Sequence, residues 1–186
     1  MNRVSADWEF LLRDTDGVPP PPAVPLRLRL TATARTLHAL RVLRRRGWPE
    51  AQRCLREMVP ATPLGAEVSP PVALRLAHRQ IVPCLTALRM VEPNALCLPR
   101  SFAIATYLSA LGLPAEIVIA RQRTTIGARF SFHAWAELYN EVLADIPTVQ
   151  LGFTVLQRVG SEEAMRATTR ATKKGGTEAT TKATSG

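Results

Sequence analysis

Cysteine is scarce in this chain of 186 residues: Cys54, Cys84 and Cys97 form an odd set with no CxxC pair. That spacing argues against both a disulfide framework and a zinc site. Aromatic residues make up only 5%. No run of eighteen or more uncharged apolar residues occurs, so no transmembrane helix is expected. The opening residues, Met1 to Phe10, carry acids early and contain no apolar core of a secretory signal, which makes the cytoplasm the default compartment. Lysine is confined to Lys173, Lys174 and Lys182, so the net charge of +9 is carried almost wholly by arginine. Such a balance fits an anionic partner (nucleic acid, a membrane surface or an acidic peptide), and it fits equally a solvated, arginine-rich surface.

What is present is enough apolar residue, 46%, to bury one core rather than two. Met1–Leu12 has the apolar edge of a short helix, and Asp14-Thr15-Asp16-Gly17 is a turn signal. Val18–Pro25 holds five prolines in eight residues and reads as an extended linker, so residues 1–25 are expected to precede the main domain. From Leu26 to Arg46, Leu30, Leu37, Leu40 and Leu43 approximate helical spacing, with Leu26 and Ala34 on the same face. His38 on this helix reads as a polar surface residue, and Gly47 as its C′ position. A second short helix carries Cys54, Leu55 and Met58. A proline-rich loop follows, and then a helix from about Val72 that Pro83 is expected to kink or divide. After about Ser161 apolar residues become sparse. The segment Arg166–Gly186, mostly Thr, Ala, Lys, Gly and Glu, is expected to be disordered because it cannot bury enough surface to offset ordering entropy. The domain is therefore expected over 26–160, with a low-complexity tail over 161–186.

The chemistry-bearing stretch runs from Ala95 to Asp145. Leu98, Phe102, Ala105 and Leu108 recur at helical spacing, Pro99 fits a first turn, and Gly112 with Pro114 ends the helix. Cys97 then sits at the positive end of the helix dipole, where a thiolate is stabilised. Glu116–Ala120 reads as a strand and Arg121–Arg129 as a loop. Phe132–Tyr139 alternates, putting His133, Trp135, Glu137 and Tyr139 on one face. A tight turn at Asn140-Glu141 returns a strand to Asp145, so that its carboxylate comes back near His133. On this arrangement Asp145 accepts the Nδ1–H bond of the imidazole and leaves Nε2 for the thiol. A thiol attacks a carbonyl only as thiolate, and an imidazole takes its proton and returns one to the leaving amine. Taken singly, each residue has a plainer role: a buried thiol, a core histidine, a turn aspartate. Only their joint placement points to catalysis.

Cys-Leu-Pro-Arg-Ser-Phe-Ala from Cys97, Leu-Gly-Leu-Pro-Ala-Glu-Ile-Val-Ile from Leu111, His-Ala-Trp-Ala-Glu-Leu from His133 and Val-Leu-Ala-Asp ending at Asp145 resemble the leader peptidases of lasso-peptide biosynthesis. These are transglutaminase-like, papain-related cysteine hydrolases, and the resemblance covers roughly Pro71–Asp145. It implies an α+β fold in which N-terminal helices and a cysteine-bearing helix pack on a small antiparallel sheet bearing the histidine and aspartate. It also implies Cys97 as nucleophile, His133 as general base and acid, and Asp145 as orienting residue, with neither metal nor organic cofactor. The implied partners are a precursor peptide with its leader, a separate leader-recognition protein and an asparagine-synthetase-like cyclase, since Met1–Val59 does not read as a fused recognition domain. Nucleic acid is not implied.

Weaker candidates surround this set. The backbone N–H of Cys97 is a natural oxyanion donor, and Asn94 or Gln80 offers a side-chain amide. Trp135 is placed to shield the His–Asp pair from water. Arg100 is placed for substrate or for a local carboxylate. Two rival functions stand beside the peptidase: transglutaminase-type acyl transfer on the same triad, and a basic module that binds nucleic acid or acidic peptide without catalysis.

Overall fold

The computed structural model describes residues 18–62, 64–65, 68–123 and 131–161. The expected helix over Met1–Leu12 and nearly all of the Thr-rich tail lie outside the described residues. Within them the element order is α1 (Leu26–Arg46), α2 (Trp48–Arg56), α3 (Pro70–Val91), α4 (Cys97–Ala110), β1 (Ala115–Gln122), β2 (Phe132–Leu138), β3 (Glu141–Leu143), α5 (Val149–Gly152) and β4 (Phe153–Gly160). Five helices and a four-stranded antiparallel sheet make this an α+β fold, as the sequence led us to expect.

Helix α4 is the centre. Every residue from Ser101 to Ala110 is buried, so this helix is packed on all sides rather than along one stripe. The sheet covers it with the inner residues of β1 and β2, Ala115, Ile117, Ala134, Ala136 and Leu138, which share a core with Phe102, Ile104, Ala105 and Leu108. Helices α1 and α3 close the other sides through Ala32, Ala39, Leu40, Leu76, Ala77, Ile81, Cys84 and Leu88. The packed face of α1 keeps Leu37, Leu40 and Leu43 of the expected leucine stripe and departs from it at the start of the helix. Leu26 and Leu30 are 70% and 61% exposed, while Ala32, Thr36 and Ala39 are buried. Small side chains let the α1 backbone come close to its neighbours, and the leucines at its start are left facing solvent.

The ends of α1 and α4 use glycine where the chain must turn with positive φ. Gly47 ends α1 at φ 80°, and Gly112 follows α4 at φ 80°. At Gly112 a second reason applies. The loop after α2 crosses here, the Ala61 N–H donates to Ala110 O at 2.9 Å, and a Cβ on Gly112 would lie 2.4 Å from Thr62 O. Helix α3 begins on Pro70 and Pro71 and runs to Val91 through Pro83, so of the expected kink or division the division does not occur. The carbonyl that Pro83 leaves without an N–H partner belongs to Arg79, an exposed residue.

The sheet order is β3-β2-β1-β4. Strands β1 and β2 pair with Ile117 opposite Ala136 and Ala120 opposite His133, and β2 pairs with β3 through Leu138 opposite Glu141. The hairpin turn is one residue earlier than expected: Tyr139 and Asn140, at φ 53° and 68°, are its central residues. Two consecutive positive φ values match the right-handed twist of a two-residue hairpin. Strand β1 extends to Gln122, into the segment read as loop, and β4 was not expected at all. It lies antiparallel to β1 on the far edge, with a bulge at Ile119/Ala120. On the outer sheet face Val118, Ala120 and Trp135 form a second small cluster with Val142, Val149 and Phe153.

Candidate active site

Cys97 is the first residue of α4, as its spacing to the apolar stripe required. Leu96 before it is extended, with ψ 178°, and offers no side-chain cap, so the first-turn N–H groups keep their donor capacity. The thiol is half-buried and free.

His133 is the second residue of β2, on the outer face of the sheet, and its ring is boxed by aromatics. The centroid of Trp135 lies 6.1 Å away and that of Phe153 5.5 Å away, and those two rings stand 6.1 Å apart at 66°. Asp145 reaches this ring differently from the expected route. Strand β3 ends at Leu143, and Ala144 takes φ 56°, a left-handed turn that costs an alanine about 1 kcal/mol. The turn swings Asp145 off the strand, and its Oδ2 accepts a hydrogen bond from His133 Nε2–H at 2.8 Å. Its Oδ1 accepts the N–H of Ile146 at 2.7 Å, which fixes the carboxylate plane. The nitrogen used is thus Nε2, not the expected Nδ1, and Nδ1 is the atom left over.

Two contacts tie the cysteine helix to this pair. Ser101 Oγ donates to Ala134 O at 2.8 Å, next to His133. Arg100 donates to Ala144 O, next to Asp145. Arg100 therefore holds a backbone carbonyl rather than a carboxylate, and it braces the strained turn. One turn of α4 after Cys97 is in this way fastened to the immediate neighbour of each partner. Among the described residues no hydrogen bond joins Cys97 itself to His133. The structure brings His133 and Asp145 into contact and anchors the Cys97 helix beside them.

The weaker candidates separate. Trp135 is 1% exposed and lies against His133, where it removes water from one side of the ring. Asn94 is an exposed turn residue three positions before Cys97. Gln80 is 3% exposed on the packed face of α3, with its Oε1 unpaired and no hydrogen bond to the Cys97 end of α4.

Sequence reasoning missed a buried polar network behind Trp135. Glu116 and Glu137 lie opposite each other on β1 and β2, 1% and 0% exposed. Glu137 Oε1 accepts from Trp135 Nε1 at 2.6 Å and from Gln150 Nε2 at 2.8 Å. Arg158 of β4 donates to Glu137 Oε2 at 2.5 Å and to Glu116 Oε1 at 2.8 Å. Burial pushes the Glu116 carboxyl up, with Glu137 adding to the rise and Arg158 opposing it. The network sets the indole, and the indole backs the imidazole. Its signal was present in the alternation that put Glu137 on the face of His133, but the partner Arg158 sits on the strand that went unrecognised.

Among the described residues no group of three or more His, Cys, Asp or Glu is placed to hold a metal ion, and no helix is long and apolar enough to cross a membrane. Residues 23–158 match the family model described as Transglut_core3, transglutaminase-like superfamily. The chain belongs to the transglutaminase-like superfamily. That superfamily usually comprises cysteine-dependent enzymes, which points to cysteine-protease or acyltransferase chemistry. No curated protein and no solved structure matches the chain significantly. The matched span runs from the proline segment into β4, so the transglutaminase-like unit includes α1 to α3 as well as the helix, strand and hairpin that carry Cys97, His133 and Asp145.

Proposed function

We propose that this protein is a cysteine peptidase that removes the leader from a ribosomally made lasso-peptide precursor. The observation that carries the thiol chemistry is the His133–Asp145 bond at 2.8 Å, held beside the helix that starts at Cys97. The superfamily membership supports the thiol chemistry, and the motif resemblance from Cys97 to Asp145 supports the substrate. In this reading Asp145 holds Nε2–H and leaves Nδ1 to take the thiol proton. The thiolate attacks the scissile carbonyl carbon, forming a C–S bond, while the oxyanion is met by the unpaired N–H groups at the start of α4. The imidazolium gives its proton to the leaving amine, the C–N bond breaks, and a thioester remains. Water then adds to the thioester, His133 accepts its proton, and the acid and the thiol are released. The thiol–imidazole contact closes when substrate binds, as is common for catalytic hydrogen bonds that are long in the free enzyme. A leader-recognition protein presents the precursor, and the cyclase consumes the freed core peptide.

The test is incubation of the precursor and recognition protein with wild-type chain and with Cys97→Ala, read by mass spectrometry. Wild type releases an intact leader fragment, and the variant releases none. Undiminished cleavage by Cys97→Ala would remove the mechanism. Because the superfamily points equally to acyl transfer, hydroxylamine is added to the same reaction. A hydroxamate reports the thioester common to both readings, and capture of that thioester by a lysine side-chain amine in preference to water favours the acyl-transfer reading.

A further inference from the structure

Away from Cys97, the C-terminal half of α1 and the end of α3 enclose a groove of about 600 Å³. Its α1 wall is Ala34, Leu37, His38, Arg41, Arg44 and Arg45, at positions that recur every three or four residues and so lie along one helix face. Leu37 and Leu40 form an apolar floor, and Val91 with Glu92 closes the far side. Three arginines line this groove against one acid, Glu92, which is already engaged by Arg44 at 3.4 Å. Arg41 and Arg45 are exposed and form no ion pair among the described residues. The groove therefore has apolar floor and uncompensated positive charge together.

We propose that this groove holds an acidic, leucine-containing segment of the peptide substrate while Cys97 acts on the same chain. The inference rests on the reading that the substrate is a peptide. Charge complementarity fixes the sign of the occupant, and the apolar floor asks for aliphatic side chains between its carboxylates. No Phe, Tyr or Trp lines the groove, so beyond the single imidazole of His38 it lacks the run of stacking platforms by which single-stranded nucleic acid is held. Its position supports a shared peptide. Glu92 is five residues from Cys97, and five residues span at most about 18 Å even when fully extended. Here the loop is drawn in further, because the Ala95 N–H donates to Glu92 O at 3.2 Å. A substrate seated in the groove reaches the start of α4 within a few residues.

The experiment measures binding on the full chain carrying Cys97→Ala, so that hydrolysis plays no part. The probes are a short fluorescein-labelled peptide rich in Glu and Leu, the same peptide with Gln for Glu, and a labelled single-stranded oligonucleotide, followed by fluorescence anisotropy. The acidic peptide should bind at least about tenfold tighter than its Gln counterpart, and its affinity should fall as salt rises. Arg41→Glu/Arg45→Glu should abolish that preference, and the milder Arg41→Gln/Arg45→Gln should reduce it in the same direction. Arg27→Glu/Arg79→Glu, with the same change of net charge on exposed arginines outside the groove, should retain it. Equal binding of the two peptides, an equal loss in the control pair, or tighter binding of the oligonucleotide overturns the proposal. Binding that persists in Cys97→Ala while the wild-type chain, given precursor and recognition protein, fails to cleave the leader would count against the peptidase reading alone.

Discussion

At the scale of single residues, the fate of each thiol is set by its surroundings. Burial pushes Cys84 up to about 12, which keeps it a thiol at neutral pH. Cys54 is raised by burial and, secondarily, by Glu57. Cys97 alone stands at a helix start, one turn before the Arg100 and Ser101 contacts that fasten its helix to the chain neighbours of Asp145 and His133. Brief exposure of the native protein to iodoacetamide at neutral pH should therefore modify Cys97 first, leaving Cys54 and Cys84 until urea unfolds the chain. Peptide mapping checks the order, and His133→Ala should slow the Cys97 reaction without accelerating the others. Equal modification of Cys54 and Cys97 would show that exposure, and not the site, governs reactivity. The placement of Cys97, His133 and Asp145 was legible because each carries a local signal: a cysteine before an apolar helical stripe, a histidine in an alternating strand, an aspartate after a hairpin. Which imidazole nitrogen meets Asp145 was not legible. It depends on the left-handed turn at Ala144, and alanine gives no warning of that backbone conformation.

Among the elements, α4 was the most legible because its limits are chemical: Cys97 follows an extended Leu96, and Gly112 takes the positive φ that ends the helix. Strand β4 was not, because it is an edge strand with Thr154, Val155 and Leu156 exposed, and neither strict alternation nor a continuous apolar run marks it. The packed face of α1 was misjudged for a related reason. Leucine periodicity signals a helix, and Leu37, Leu40 and Leu43 pack, but in the first turns tertiary fit buried Ala32 and Thr36 and left Leu26 and Leu30 outside. The crossing at the end of α4 yields a test of how tightly these elements meet. Gly47 and Gly112 share φ 80°, and at Gly47 a ψ of −175° adds a region essentially reserved for glycine, so alanine at either costs on the order of 1–3 kcal/mol in backbone strain. At Gly47 the added methyl would meet nothing closer than Pro49 Cδ at 3.9 Å, whereas at Gly112 it would meet a backbone oxygen at 2.4 Å. Urea denaturation should find Gly112→Ala less stable than Gly47→Ala by a further 1 kcal/mol or more, roughly the cost of forcing a packed contact apart. Equal losses would mean that the loop over α4 yields freely.

For the whole molecule, the governing contrast is a basic surface, +9 in total, around a sheet that buries two carboxylates side by side. Arg158 serves both, but Glu116 Oε2 keeps no partner, and burial leaves the Glu116 carboxyl above its ordinary value of 4.5. A raised value in the folded state means that folding favours the protonated acid. The contribution of this group to stability is then fully present below its unfolded value and is lost as pH rises through the folded one. Glu116→Gln keeps the shape, cannot ionise, and removes that pH-dependent part, while the lost bond to Arg158 changes stability by an amount that does not vary over the same range. The quantity to follow is the difference in melting temperature, Glu116→Gln minus wild type, from just below pH 4.5 to neutrality. It should grow more positive with rising pH, because only the wild type has to bury an ionising group. A difference that stays flat would show that Arg158 compensates the charge completely, and a falling one would show that ionised Glu116 strengthens the sheet.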